Sequence, residues 1–417
     1  MHGVTKSCYA GLVAFLLGSA EAAANEVTDW NRKAASVVTE GGAVVAAQPS
    51  AVLGMVAIAQ HDALNAIDRR YYAYVHTDVM PRASPDAAVH GAARGVLLRM
   101  FPAQSATIET EYLSRMALIP DSAEKVTGAA LGDAAAHAIV AVRQGDPLFA
   151  PASTRPTYKW LAQGPGVYEP TPPAYSVAQP TLFIAGGRPF TLTSSSQFRP
   201  AGTPDLSSDL YATDYNEVKE IGRKGSAVRT ADQTHAALFF IEGSTTVIMN
   251  RIGLPAIETK NLDLWDSARA LALLNMSLAD AAISAFEAKF HFNTWRPVTA
   301  IRKGETDGNA NTEADPNWEP EIPTPNHPEY AAGHPFGCSA GGHTLEVVLD
   351  DAAYAFATTS ASHGTPRSYA TLDAFAQECG NARVWAGVHF SNSIRASYVA
   401  GREVSNWVIR NTLRKAH

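Results

Sequence analysis

Apolar residues recur at steps of three and four along most of the chain, the spacing that lines one face of a helix. In PSAVLGMVAIAQHDALNAIDRR (49–70), DAAVHGAARGVLLRMF (86–101) and SAEKVTGAALGDAAAHAIVAV (122–142) it predicts amphipathic helices, the last opening on a Ser cap. The segment LDLWDSARALALLNMSLADAAISAFEAKF puts Leu271, Leu274, Leu278, Ala282 and Ala285 on one stripe, and further helices are predicted around 333–353, 371–388 and 394–413. Between about Tyr158 and Leu206 the texture changes, with Pro and Gly crowding GPGVYEPTPPAY and FRPAGTPD. A linker would be more polar, whereas this stretch holds Trp160, Tyr168, Tyr175, Phe183, Phe190 and Phe198. It reads as a long ordered excursion over the surface of one continuous fold. Strand candidates are few, so the fold class is all-α.

Composition narrows the picture. The 417 residues are 46% hydrophobic and 18% charged, which excludes a disordered chain. With 33 basic against 40 acidic residues the formal charge is −7, so no nucleic-acid partner is expected. Residues 1–24 read as a secretory signal: Lys6, an apolar stretch from about Tyr9 to Gly18, then Ala20, Ala22, Ala23 and Ala24 as small-residue cleavage positions. The expected product is periplasmic or secreted, with no membrane span and with homo-oligomers left open. Its parts are a helical half over 25–157, the excursion over 158–205 and a C-terminal helical domain over 206–417. After removal of Cys8 with the leader, Cys338 and Cys379 remain, as a disulfide or as two buried thiols.

Three clusters could carry chemistry. Lys289 continues the buried stripe, and Arg296 follows seven residues later, biased out of helix by Pro297. Alone they read as a snorkelling Lys and an Arg capping carbonyls. In PTPNHPEYAAGHPFGCSAGGH, Gly333, His334 and Pro335 look like a helix start, with Pro at the first helical position. Backbone N–H groups there can receive an anion, and His334 can exchange protons with it. In ARVWAGVHFSNS, Arg383 and His389 would point about 120° apart on an unbroken helix, so their convergence requires Arg383 to reach round or the chain to adjust at Gly387. Together the clusters provide what a tetrahedral or trigonal-bipyramidal oxyanion needs: three cations, a helix-start N–H, one His to bond the central atom and one to move protons.

Their order and spacing resemble the vanadium-dependent haloperoxidases and the related type 2 phosphatidic acid phosphatase (PAP2) superfamily, whose pattern is KxxxxxxRP, PSGH and SRxxxxxHxxxD. Lys289 to Pro297 match the first element, 33 residues lead to the second, and 47 lie between His334 and the third. GMVAIAQHDALNAIDRRY, GVYEPTPP, RPFTLTSSSQFRP, YNEVKEIG and RTADQTHAALFF look like the secreted bacterial branch. The resemblance implies a haloperoxidase-like helical bundle and vanadate as cofactor. The vanadium would bond to His389, with its oxygens held by Lys289, Arg296, Arg383 and the Gly333 N–H. Hydrogen peroxide and halide would be the substrates, with His334 and Lys289 assisting. The alternatives in the same pocket are an acid phosphatase that cleaves a phosphate ester through a phosphohistidine at His389, and a degenerate oxyanion binder.

Three departures from the pattern bear on this. Ala332 replaces the Ser of PSGH, Ala382 stands before Arg383, and Ser393 replaces the Asp expected four residues after His389. Each hydrogen bond lost to an anion is worth roughly 1.5–3 kcal/mol. His327 and Phe286 stand where chloroperoxidase-like members carry other aromatic residues, which favours bromide or iodide over chloride. Ser339 in GCSAG matches the nucleophile elbow of α/β hydrolases but lacks a preceding strand. His327, His334 and His343 lack zinc-type spacing. His61 and Asp62 read as packing or capping groups.

Overall fold

The computed structural model describes residues 24–42, 47–156, 158, 163–176, 181–241, 244–361 and 363–416. The leader expected over 1–24 lies almost wholly outside them, as does Trp160. The periodic segments fold as α1 Glu26–Glu40, α2 Ala47–Ile67, α3 Pro85–Met100, α4 Ser105–Met116 and α5 Ala123–Val142. The short α6 Leu182–Ala185 interrupts the Pro/Gly-rich stretch. Then come α7 Asp209–Ile221, α8 Ala231–Phe239, α9 Thr245–Thr259, α10 Leu264–Phe292, α11 Pro297–Arg302, α12 Gly333–Val348, α13 Leu372–Trp385 and α14 Ser391–Asn411. Among the described residues the strands are one antiparallel pair, β1 Phe356–Thr358 and β2 Arg367–Tyr369. The fold is all-α.

The axis of the core is α10. Leu271, Leu274, Leu278 and Ala285 are buried as their stripe predicts, while Ala282 is half-buried because it faces a cavity. Against α10 lies α2, which also touches α3 and α5, so every position from Ala47 to Ala66 is buried. The expected amphipathic helix is therefore buried all round, with Gln60, His61, Asp62 and Asn65 enclosed along with its apolar residues. By length and composition α10 could cross a membrane, but 89% of its most apolar window is buried inside the fold.

Buried carboxylates tie the irregular segments to this core. Asp280 of α10 accepts the backbone N–H of Phe190 (2.6 Å) and Thr191 (2.9 Å) and the Thr191 hydroxyl (2.8 Å), with Phe183, Phe190 and Leu192 buried around it. Asp62 of α2 accepts the N–H groups of Tyr74, Val75 and His76 at 2.8–2.9 Å. Loop backbone with no ladder partner is satisfied in this way. The C-terminal elements form the other side: α12 packs on α10, α13 and α14. A Cys338–Cys379 disulfide joins α12 to α13, which excludes the two-thiol arrangement.

Candidate active site

The end of α10 creates the first part of the site. Lys289 lies in its last turn, Asn293 closes the helix in the left-handed conformation (φ 51°), and Arg296 is extended (φ −85°, ψ 157°) before Pro297 opens α11. Lys289 is buried and does not snorkel. Its Nζ donates to the Pro328 and Glu329 carbonyls at 3.0 and 2.9 Å. Arg296, wholly buried, donates from Nε to His327 O (2.8 Å) and from NH1 to Val388 O (2.8 Å), so it does satisfy carbonyls. It also reaches two imidazoles, His389 Nε2 from NH1 (3.2 Å) and His327 Nδ1 from NH2 (2.9 Å).

The second part is the start of α12, which begins at Gly333 with Ala332 as N-cap. Pro335 is thus the third helical residue and not the first, a register the helix tolerates because the N–H there has no intrahelical acceptor. The space where a Gly333 side chain would stand is open, with nothing within 4 Å. The third part joins α13 to α14. Arg383 lies in the last turn of α13, which stops at Trp385; Gly387 (φ 78°) turns the chain, and His389 follows two residues later. A Cβ at Gly387 would stand 2.3 Å from Gly222 O and 2.9 Å from Pro320 Cβ. Of the two routes to convergence, the chain uses the break at Gly387.

These parts meet. Phe286, Lys289, His327, Gly333, His334, Arg383 and His389 line a cavity of about 700 Å³, together with the apolar Ile241, Ala285 and Ile322. Arg296 reaches it through His389 and His327. The rings of Phe286 and His327 pack edge to face with centroids 5.4 Å apart. Arg383 donates from NH1 to Phe240 O (3.0 Å), while its buried Nε has no hydrogen-bond partner. The Cys379 sulfur lies 3.7 Å from the His334 carbonyl oxygen. Ser339 lies elsewhere, buried inside α12 and donating to Phe336 O (3.2 Å), and His343 engages Asn406 and Glu346.

Sequence reasoning missed Glu329. Its carboxylate, 1% exposed, sits 2.7 Å from His389 Nδ1 and accepts the Phe390 N–H at 3.1 Å. An acid in a Pro-rich loop five residues before His334 was the available signal, but its partner is sixty residues away.

The electrostatics follow from burying three cations around one carboxylate. Desolvation first, then repulsion from Arg296, pushes the Arg383 guanidinium down to about 9. Desolvation holds Arg296 at about 10, with Glu329 and Tyr168 opposing it. Burial and the two arginines hold Lys289 well below its usual range, against the pull of Glu329. Burial followed by nearby cations does the same to His327 and His389. Burial lifts Glu329 to about 7 despite Lys289 and Arg296. Burial is the first cause of each cation shift, and negative charge in the cavity would oppose it.

Residues 269–417 match the family model for the VCPO second helical-bundle domain. The solved structure of a bacterial vanadium-dependent iodoperoxidase aligns at a TM-score of 0.80, covering 95% of this chain and 99% of its own at 20% identity. The chain has the fold of the vanadium haloperoxidase superfamily. A holo-type bacterial vanadium-dependent chloroperoxidase aligns at 0.68, covering 88% of this chain and 91% of its own at 17% identity. No curated protein sequence matches the chain. Within this haloperoxidase fold the three departures fall on buried positions. The Ala332 N–H donates to Ser397 Oγ (2.8 Å), Ala382 is packed in the core, and Ser393 lies beside Glu329, close enough to lower its pKa.

Proposed function

We propose that the chain is an exported, vanadate-dependent haloperoxidase that oxidises bromide or iodide with hydrogen peroxide, residues 1–24 directing its export. The observation that carries this reading is a buried, cation-lined cavity in which Arg383 Nε lacks a partner and His389 Nε2 faces only a donor, Arg296 NH1. The residues fit vanadate: Lys289, Arg296, Arg383 and the N–H groups at Gly333 would hold its oxygens, and His389 Nε2 would bond its metal. When bound it supplies the Lewis acidity that activates peroxide toward halide. His334, on the cavity wall in the first turn of α12, exchanges protons with the substrate peroxide, and Lys289 places positive charge where oxygen-borne charge collects.

A second reading is supported by the His389–Glu329 hydrogen bond, since a carboxylate behind a His is what a phosphohistidine mechanism requires. There His389 attacks phosphorus and His334 protonates the leaving alcohol. Purified protein assayed with vanadate, peroxide and each halide, beside a phosphate-ester assay without vanadate, separates the two. Vanadate-dependent oxidation of bromide and iodide, faster than that of chloride, is expected. Chloride oxidised as fast as bromide would overturn the assignment of His327 and Phe286, and phosphatase turnover without halide oxidation would promote the second reading.

The change at Ala332 gives a further expected result. Ala332→Ser should tighten vanadate or phosphate by about 1–2 kcal/mol, up to roughly thirtyfold, by adding one charge-assisted hydrogen bond. Unchanged affinity by calorimetry would mean that the hydroxyl does not reach the anion.

A further inference from the structure

The family pattern expects a carboxylate in the first turn of α14, four residues after His389, and this chain has Ser393 there. A carboxylate nevertheless reaches His389. It comes from the loop before α12, where Glu329 approaches Nδ1 from behind the ring. Glu329, Phe390 and Ser393 line a second cavity of about 320 Å³, separate from the 700 Å³ cavity that His389 lines. The imidazole thus stands between the two, with its Nε2 side toward Arg296 and the anion-binding cavity.

The partners of the two ring nitrogens point to one tautomer. Arg296 NH1 can only donate, so the His389 Nε2 that faces it at 3.2 Å carries a lone pair. A neutral imidazole with a bare Nε2 has its proton on Nδ1, and the acceptor for that proton is Glu329 Oε1 at 2.7 Å. The same oxygen accepts the Phe390 N–H, which fixes the carboxylate relative to the backbone next to His389.

We propose that Glu329 is the positioning residue of this site: it replaces from a different element the carboxylate absent at position 393, and holds His389 as the Nδ1–H tautomer with Nε2 directed at the bound oxyanion. The assignment rests on reading His389 as the residue that bonds the anion. Glu329 does not touch the substrate; it acts through the ring. Glu329 and Ser393 line the same cavity, with the Ser393 side chain next to the Glu329 carboxyl, so a carboxylate at position 393 would meet Glu329 as a like charge at close range.

The test combines a tautomer measurement with an exchange of the two positions. In ligand-free protein with 15N-labelled histidines, the His389 signals, assigned by their loss in His389→Ala, are expected to show protonated Nδ1 and bare Nε2. A dominant Nε2–H form overturns the proposal, whatever the Glu329 variants do. Glu329→Ala is expected to weaken inorganic phosphate binding and to lower turnover by about 10- to 100-fold, as loss of a hydrogen-bond partner behind a ligating His typically does. Glu329→Ala combined with Ser393→Asp is expected to regain most of the loss and the Nδ1–H signature, whereas Ser393→Asp alone should lower the melting temperature. A double variant no better than Glu329→Ala in both phosphate affinity and tautomer overturns the replacement. The Nδ1–H signature in a preparation without halide or phosphatase turnover supports Glu329 and counts only against the functional reading.

Discussion

A His389→Ala variant should fold and show no vanadate-dependent halide oxidation above background. His389 Nε2 is the imidazole nitrogen that presents a lone pair among Arg296 and the cations of the cavity. The neighbouring His327 does not substitute, because its Nδ1 faces the Arg296 NH2 donor at 2.9 Å, which puts its proton on Nε2. Truncation removes the bond to the central atom, while Lys289 and Arg383 keep a general attraction for anions. Weak phosphate binding should therefore survive where turnover does not. The stability cost should be about 1–3 kcal/mol, because Glu329 loses one of its two donors inside the protein and Arg296 loses an acceptor. Initial rates beside a thermal melt check both parts. Turnover close to that of the parent protein would show that the anion is bonded elsewhere.

Gly387→Ala should have the larger effect on the fold. The position combines two requirements, a φ of 78° and an approach of the missing Cβ to within 2.3 Å of the Gly222 carbonyl oxygen. Backbone strain and collision add, for an expected loss of about 3 kcal/mol or more. This turn also sets Arg383 and His389 on the same cavity, so the anion site should fail together with stability. Urea unfolding with and without inorganic phosphate reads both: a lower midpoint and no stabilisation by phosphate are expected. A variant with the parent's midpoint and the parent's response to phosphate would remove Gly387 from the account.

Local spacing made the helices legible. The Leu271–Leu274–Leu278 stripe is buried in α10, along with the residues around it, and the pre-proline bias at Arg296 appears as an extended residue between α10 and α11. Spacing also raised Gly387 as one of two ways for Arg383 and His389 to converge, and the chain takes it, ending α13 at Trp385. What it could not show was set by contacts distant in sequence. Lys289 read as snorkelling because nothing nearby reveals that the Pro328 and Glu329 carbonyls receive its ammonium. Glu329 went unnoticed because its partner is brought to it by the packing of α12 and α14. The full burial of α2 depends on helices on several sides, which its own periodicity cannot report. The start of α12 near Gly333 was legible, but not the place of its proline, because Pro335 fits the third helical position as well as the first.

The disulfide has a chemical consequence for the proposed reaction. Hydrogen peroxide and hypohalous acid attack thiolates first, carrying them through sulfenic to irreversible sulfinic and sulfonic acids. The Cys379 sulfur lies 3.7 Å from the carbonyl oxygen of His334, next to the cavity where such oxidants would form. Bonded to Cys338, it offers no thiolate to either of them. The same bond closes a loop 41 residues long and stabilises the fold by about 4 kcal/mol in the chain-entropy account. An oxidant source built beside free cysteines would consume its own scaffold. Here that sulfur is oxidised in advance, and the bond it forms holds together α12, which carries Gly333 and His334, and α13, which carries Arg383.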